Sequence, residues 1–565
     1  MKTLGKVILT LIVIFVVIEV IGIVVMYYSR RVRPQTVLTA RIAGDIPEQA
    51  QQGALAELAA GTPTTVTDLV EALDRARADS RITGLELRIT ESTMNMAKIQ
   101  ELRDKIREFN RAGKFSVAYL EFATNRTYYL ASACRTVILL PKSLLYIRGM
   151  MASTTFYRGT LDKLGIYPDL YHIGEYKNAM NVFTEKKFTS AHREATQALL
   201  QDWYQEYVRG VAESRGLKPE EVEQDMAKGP FSSEQALRAR LVDQVAYWDQ
   251  AREFVHKQNH GSDRRLSLRA YLSRASGETR HKLAVIYATG TILPGRSGDT
   301  PFGEEVMGSD TIAEQFQRAR EDDDVKAVVL RVDSPGGAVF PSEVIRREVE
   351  ITKRHKPVVV SMSDVAASGG YWIAMSANKI IAEPGTITGS IGVVVGKYNL
   401  RGLYEKLGLS EDVVTTTENS TLDWPFQNFT PAQRTSLQNN MQDTYNSFLV
   451  GVAEGRHMKT QDVDKIARGR VWTGEQARQL GLVDELGGLH VAVARARTLA
   501  KIPVEEKVSL LILPPRRSLW DKVLDLAGGS EVLSSQSSPR AWLRTLESLA
   551  GQPVWALLPA VPQVQ

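Results

Sequence analysis

The sequence has a single cysteine, Cys134, so no intramolecular disulfide and no cysteine-based zinc site can form. A lone thiol is compatible with cytoplasm or periplasm and does not choose between them. There is no H-E-x-x-H, no G-x-S-x-G and no Walker-type loop. These absences set aside the zinc-peptidase helix, the α/β-hydrolase elbow and ATP-driven chemistry. No cofactor or metal is therefore expected. No lysine/arginine stripe with interleaved aromatics occurs, and the net charge is only +5 over 565 residues, so no nucleic-acid partner is expected. Histidine is scarce, at eight, and none sits in an evident catalytic phrase. His256 and His260 are four apart, but they lie in a polar stretch and read as solvated. What is present is ordinary: 43% hydrophobic and 24% charged residues, a folded chain long enough for two or three cores.

One long apolar run stands out, "VILTLIVIFVVIEVIGIVVMYY" from Val7 to Tyr28, with Glu19 its only charge. At 1.5 Å per residue it spans about 30 Å, the thickness of bilayer hydrocarbon. It exceeds a signal-peptide h-region, and "YYSRRVRP" follows in place of a small-residue cleavage site. The run reads as an uncleaved transmembrane anchor. Lys2 and Lys6 before it nearly balance Arg30, Arg31 and Arg33 after it, so charge does not orient the body.

The body repeats itself. "LVEALDRARADSRITGLELRI" (69–89) aligns with "IAEQFQRAREDDDVKAVVLRV" (312–332), and "TYYLASACRTVILLPKSL" (127–144) with "GYWIAMSANKIIAEPGTI" (370–387). "FTSAHREATQALLQDWYQEYVRGVAESR" (188–215) then aligns with "FTPAQRTSLQNNMQDTYNSFLVGVAEGR" (429–456). The offset stays between 241 and 243 residues throughout. Short β-branched strands such as "AVVLRV" (327–332) and "PVVVSMS" (357–363) alternate with helical stretches. That alternation predicts α/β units around a largely parallel sheet. The stretch 256–281 is polar and reads as the linker between copies.

Chemistry is suggested where the copies differ. In the second copy a strand runs into "DSPGGAVF" (333–340), whose Gly336 and Gly337 could turn backbone N–H groups outward toward an oxyanion. A plain strand-to-helix turn explains that phrase equally. Thirty residues on, "VAASGGYWI" (365–373) places Ser368 at the start of a helical pattern. An N-cap is the alternative reading there. The first copy has Asn125, Arg126 and Thr127 at the register of Ser368, Gly369 and Gly370, and "RITESTM" (88–94) at that of "RVDSPGG". If Ser-Gly-Gly served only the turn, both copies would need it.

A nucleophilic serine needs a base. "YHIGEYKNAMNVFTEKKFT" (171–189) places Lys177 in a mainly uncharged phrase, and the second copy has "TTTENSTLDWPFQNFT" there, without lysine. Lys177 is thus unique to one copy, as Ser368 is to the other. A lysine base must fall from its reference pKa of about 10.4 to near neutrality, which costs roughly 4 kcal/mol and calls for burial among apolar neighbours. Lys186 and Lys187 beside Glu185 read as surface charges. The S-x-x-K match Ser376–Lys379 has no glycine loop beside it and reads as coincidence.

The phrases "GEYKNA", "VDSPGG", "AASGGYWIA" and "TITGSIGV", in this order on a tandem repeat, resemble the long, duplicated form of bacterial signal peptide peptidase A. The resemblance implies a tandem Clp-protease/crotonase-like (ββα superhelix) α/β fold preceded by one transmembrane helix. It implies a serine peptidase with Ser368 as nucleophile, Lys177 as general base, Ser390 orienting the lysine, and an oxyanion hole from the N–H groups of Gly336 and Gly369. Family members often carry a second lysine where Glu175 stands, and a close, ionised Glu175 would raise the pKa of Lys177. The implied setting is a homotetramer in the bacterial inner membrane with a periplasmic body, acting on cleaved signal peptides and other hydrophobic peptides. The expected divisions are an anchor (1–33), a first repeat (35–255), the linker (256–281), a second repeat (282–500) and a tail (501–565) with no legible role. Two other readings share the fold: a crotonase-type acyl-CoA enzyme, which would use carboxylates, and an inactive membrane scaffold.

Overall fold

Aliphatic and β-branched runs form the strands of two similar sheets. In the first repeat these are β1 (Thr36–Ile42), β2 (Ile82–Ile89), β3 (Phe115–Leu120) and β4 (Thr136–Leu139), with β5 (Tyr167–Ile173) outside the sheet. They continue with β6 (Gln244–Val245) and β7 (Arg265–Ser267). The sheet order is β6-β4-β3-β2-β1-β7, parallel at every pairing. Its helices include α1 (Val66–Ala78), α2 (Met96–Arg111), α3 (Asn125–Ala131), α4 (Ser190–Arg215) and α5 (Leu268–Ala275).

The second repeat has β8 (His281–Thr289), β9 (Val325–Ser334), β10 (Gly336–Ala338), β11 (Val358–Ala367), β12 (Ile387–Gly389) and β13 (Val393–Asn399). They are followed by β14 (Val471–Thr473), β15 (Val508–Leu513) and β16 (Trp555–Leu557). The main sheet runs β14-β12-β11-β9-β8-β15. Its central strands are buried on both faces, so they carry continuous apolar runs, and the buried polar groups Arg331, Ser361, Ser363 and Asp364 come after those runs. Its helices include α6 (Ser309–Glu321), α7 (Val339–Lys353), α8 (Gly369–Ala374), α9 (Pro431–Arg456) and α10 (Leu489–Leu499). Long helices of 26 residues, α4 and α9, recur at the repeat offset, each capped by a threonine hydroxyl, Thr189 or Thr430.

This computed structural model describes residues 31–49, 63–275, 281–299, 305–503, 505–515, 555–557 and 563–564. The apolar run 7–28 lies outside them, and among the described residues no helix is long and apolar enough to cross a membrane. The stretch read as a linker is structured over much of its length. Its β7 extends the first sheet beside β1, and its α5 packs Leu268 and Tyr271 into that repeat's core. A polar edge strand has a polar sequence, which is why composition alone suggested a linker.

Two features lock the repeats together. Strand β5 of the first pairs antiparallel with β13 of the second over seven residue pairs, from Val393 with Ile173 to Asn399 with Tyr167. Arg331 on β9, 1% exposed, meets two carboxylates of the first repeat: Glu48 (2.9 Å from Nε) and Glu101 on α2 (2.7 Å from Nη2). A fully buried arginine survives only with such partners.

Candidate active site

Strand β11 ends at Ala367, and the chain turns at Ser368 into α8. Ser368 adopts φ 56° and ψ −113°, a conformation unusual for a residue with a Cβ and one found where geometry is imposed by function. Its hydroxyl makes no helix-capping bond, so the N-cap reading does not hold. In the first repeat, by contrast, Thr124 and Thr127 form a true capping box and α3 starts one position earlier, at Asn125. There the Asn125 amide oxygen accepts from the Arg148 N–H.

The two glycines after Ser368 permit close packing as well as a turn. A Cβ on Gly370 would fall 2.8 Å from the Ser334 carbonyl oxygen, and one on Gly369 would fall 2.8 Å from Ser342 Oγ and 3.1 Å from the Gly337 nitrogen. The loop "SPGG" is thereby held against the residue after the serine. Gly336, at φ 106°, donates its N–H to Ser334 Oγ at 3.2 Å.

The base candidate arrives from the other repeat. Lys177 lies four residues past β5, whose pairing with β13 carries it across. Its Nζ is 2.6 Å from Ser368 Oγ, 191 residues away in sequence, 2.8 Å from the Ser390 carbonyl oxygen and 3.0 Å from Ser390 Oγ. All three residues are completely buried. Burial alone holds the Lys177 amine well below its ordinary pKa; no carboxylate offsets it. A neutral amine has two N–H bonds and one lone pair. The N–H bonds suit the two Ser390 oxygens, and the lone pair is left for the Ser368 hydroxyl proton. Ser390, at φ 53°, is fixed by its N–H donating to the Arg470 carbonyl at 2.7 Å.

The Glu175 carboxylate turns to Arg468, 3.5 Å away, and does not offset the burial of Lys177. Ser376 and Lys379 also part company: Lys379 pairs with Asp484 (2.9 Å) and Ser376 Oγ accepts from Arg346. Sequence reading missed Gly469, in the loop just before β14. Its φ is 79°, and its Cα side faces the Lys177 backbone. The first copy has Lys228 at the corresponding position, so the contrast between copies that singled out Ser368 marks this glycine too.

A strand of the chain's own tail completes the surroundings. β16 lies antiparallel between β10 and β13, pairing Gly336 with Leu557, Gly337 with Ala556, Ala338 with Trp555, and Val394 with Trp555.

Peptidase family S49 matches residues 108–260 and 350–503, one segment in each repeat. The chain is 33% identical over 521 residues to a chloroplastic serine protease, SPPA, of Arabidopsis thaliana, covering 90% of this chain and 75% of that protein. It is 33% identical over 478 residues to Protease 4 of Salmonella typhi, covering 82% and 76%. Among solved structures, a mutant of the 1510-N membrane-bound stomatin-specific protease covers 42% of this chain and all (100%) of its own, at 17% identity and a TM-score of 0.27.

Proposed function

Given that the chain belongs to peptidase family S49 and is a serine peptidase, we propose that it is a membrane-anchored endopeptidase that hydrolyses cleaved signal peptides and other hydrophobic peptides with a Ser368/Lys177 dyad. The observation that carries this reading is the buried Lys177 amine, 2.6 Å from Ser368 Oγ, from the opposite repeat. The anchor is the apolar run 7–28, and the homotetrameric, periplasmic setting rests on the resemblance drawn from the motifs.

The substrate enters extended, antiparallel to β10. Neutral Lys177 takes the Ser368 proton as Oγ attacks the peptide carbonyl. The N–H groups of Gly369 and Gly336 receive the oxyanion, the latter exchanging its long bond to Ser334. Lys177 then protonates the leaving amine and, after water enters, serves as base for deacylation. Ser390 holds the amine so that its lone pair keeps facing Ser368.

A fluorophosphonate probe tests the nucleophile. It should label the wild-type chain at Ser368 and leave Ser368→Ala unlabelled and inactive on a quenched hydrophobic peptide. Hydrolysis surviving in Ser368→Ala would sink the dyad and place the nucleophile elsewhere in the chain.

β16 supports the proposed substrate path, because it places backbone where an extended peptide would pair with β10. A tethered strand competes at an effective concentration of order millimolar. Removing residues 516–565 should therefore raise kcat/KM several-fold, roughly 3- to 10-fold, mostly by lowering KM. An unchanged KM would show that the tail does not compete.

A further inference from the structure

We propose that Lys98, a first-repeat residue away from the dyad, is a positioning residue for the reaction, drawing the oxyanion loop and the nucleophile's strand onto one cation. This rests on the dyad reading above. Lys98 is the third residue of α2. Its Nζ lies 3.2 Å from Asp333 Oδ2 and 3.6 Å from Asp364 Oδ2. Asp333 stands three residues before Gly336, and Asp364 four residues before Ser368. One ammonium group thus bridges the two segments whose relative placement defines the oxyanion pocket.

Each carboxylate uses its second oxygen to tie down backbone. Asp333 sits where the β9–β11 ladder breaks register, between Val332 and Ser334, and its Oδ1 accepts from the Val365 N–H at 3.1 Å. Such a bulge beside a site redirects a side chain out of the regular pleat. Asp364 Oδ1 accepts from the Lys98 N–H at 3.1 Å. It thereby caps α2 from the other repeat, a bond the helix's own N-cap, Asn95, does not make. The result is a closed circuit through α2, the end of β9 and the end of β11, set behind Ser368.

The circuit follows the nucleophile. The residues 243 positions from Asp333, Asp364 and Lys98 are Thr90, Glu121 and Pro341. Glu121 binds Arg88 instead, and no equivalent trio exists around Asn125. Surface charges would have no reason to respect that asymmetry. The electrostatics agree. Burial pushes the Asp364 carboxyl up, to about 7. Lys98 and its N–H oppose that shift, and Asp333 and Glu48 add to it. Lys98 is itself pulled down by burial, but Asp333, Asp364, Glu48 and Asp45 outweigh this and hold it above its usual value, so it stays charged.

Lys98→Met in the full chain should lower kcat on a quenched hydrophobic peptide roughly 10- to 100-fold with KM within about 3-fold, since sub-ångström misplacement acts on turnover. Fluorophosphonate labelling of Ser368 should slow in step. A folded Lys98→Met enzyme with wild-type kcat overturns the proposal. Losing the lysine leaves two carboxylates unpaired, so the charge-balanced variant Lys98→Met/Asp333→Asn/Asp364→Asn carries the test if the single one does not fold. Slow turnover in it supports positioning, and wild-type kcat overturns it. Ser368→Ala run alongside separates the two readings: activity there would refute the dyad itself, whereas a dead Ser368→Ala beside an unimpaired Lys98→Met would refute only Lys98.

Discussion

Lys177→Met leaves a folded protein that hydrolyses hydrophobic peptide at least about 1,000-fold more slowly than wild type, and that resists urea better at neutral pH. The first effect follows from removing the group that accepts the Ser368 proton and later returns it to the leaving amine. Lys177→Arg is expected to fail as well, because a guanidinium keeps its proton and has no lone pair to offer. The second effect follows from linkage. Burial holds the folded-state pKa of Lys177 below its unfolded value of 10.5. Between those two values the unfolded chain binds a proton that the folded chain lacks, so wild-type stability rises with pH across that window. Methionine has no proton to give up, so its advantage should shrink as pH approaches 10.5. Urea midpoints at pH 7 and pH 9 for both proteins check this, and an advantage that grows with pH would contradict a buried neutral amine. The wild-type rate should carry an acid limb, falling as pH drops through the lowered pKa.

Gly469→Ala should also be severe, although residue 469 touches no substrate. The added Cβ would fall 2.4 Å from Lys177 Cβ and 2.5 Å from its Cα and nitrogen. Those atoms are backbone or adjoin it, so they cannot swing aside as a flexible tip could. The loop is held by Gly469 N–H to the Ile391 carbonyl (2.7 Å) and by Tyr176 N–H to the Arg468 carbonyl (2.9 Å), so Lys177 must move instead. A displacement of about 1 Å costs on the order of 100-fold in turnover. At φ 79° alanine also strains the loop, so some loss of stability accompanies it. Fluorophosphonate labelling of the folded variant measures the effect directly, and a labelling rate within about 3-fold of wild type would show that the loop yields without moving the base.

The duplicated plan was legible because the repeat offset hardly drifts, and helices α1 and α6 or α4 and α9 recur where the aligned phrases do. Ser368 and Lys177 emerged from what each copy lacks, and they meet at hydrogen-bonding distance. Ser390 came only from resemblance, since nothing in its composition announces a φ of 53°. Whether Glu175 would lie close to Lys177 was not legible, because its direction depends on Arg468, 293 residues away. Lys98 was invisible for a similar reason. On an amphipathic helix it looks like a solvated charge, and only the approach of β9 and β11 turns it inward. Sequence pattern reports the period of an element and the residues one copy has and the other lacks. It does not report which side chain a distant segment will cover.

The distance along the chain between the proposed base and the proposed orienting serine would also set a clock. Ser390 follows Lys177 by 213 residues. At about 5–20 residues per second, a ribosome needs roughly 10–40 s to travel from one to the other. During that interval the emerging polypeptide carries a lysine with nothing to activate, and it gains a working site only after the second repeat folds around it. On the proposed dyad, a protease whose parts are spread across two domains would stay silent until the second domain has been made.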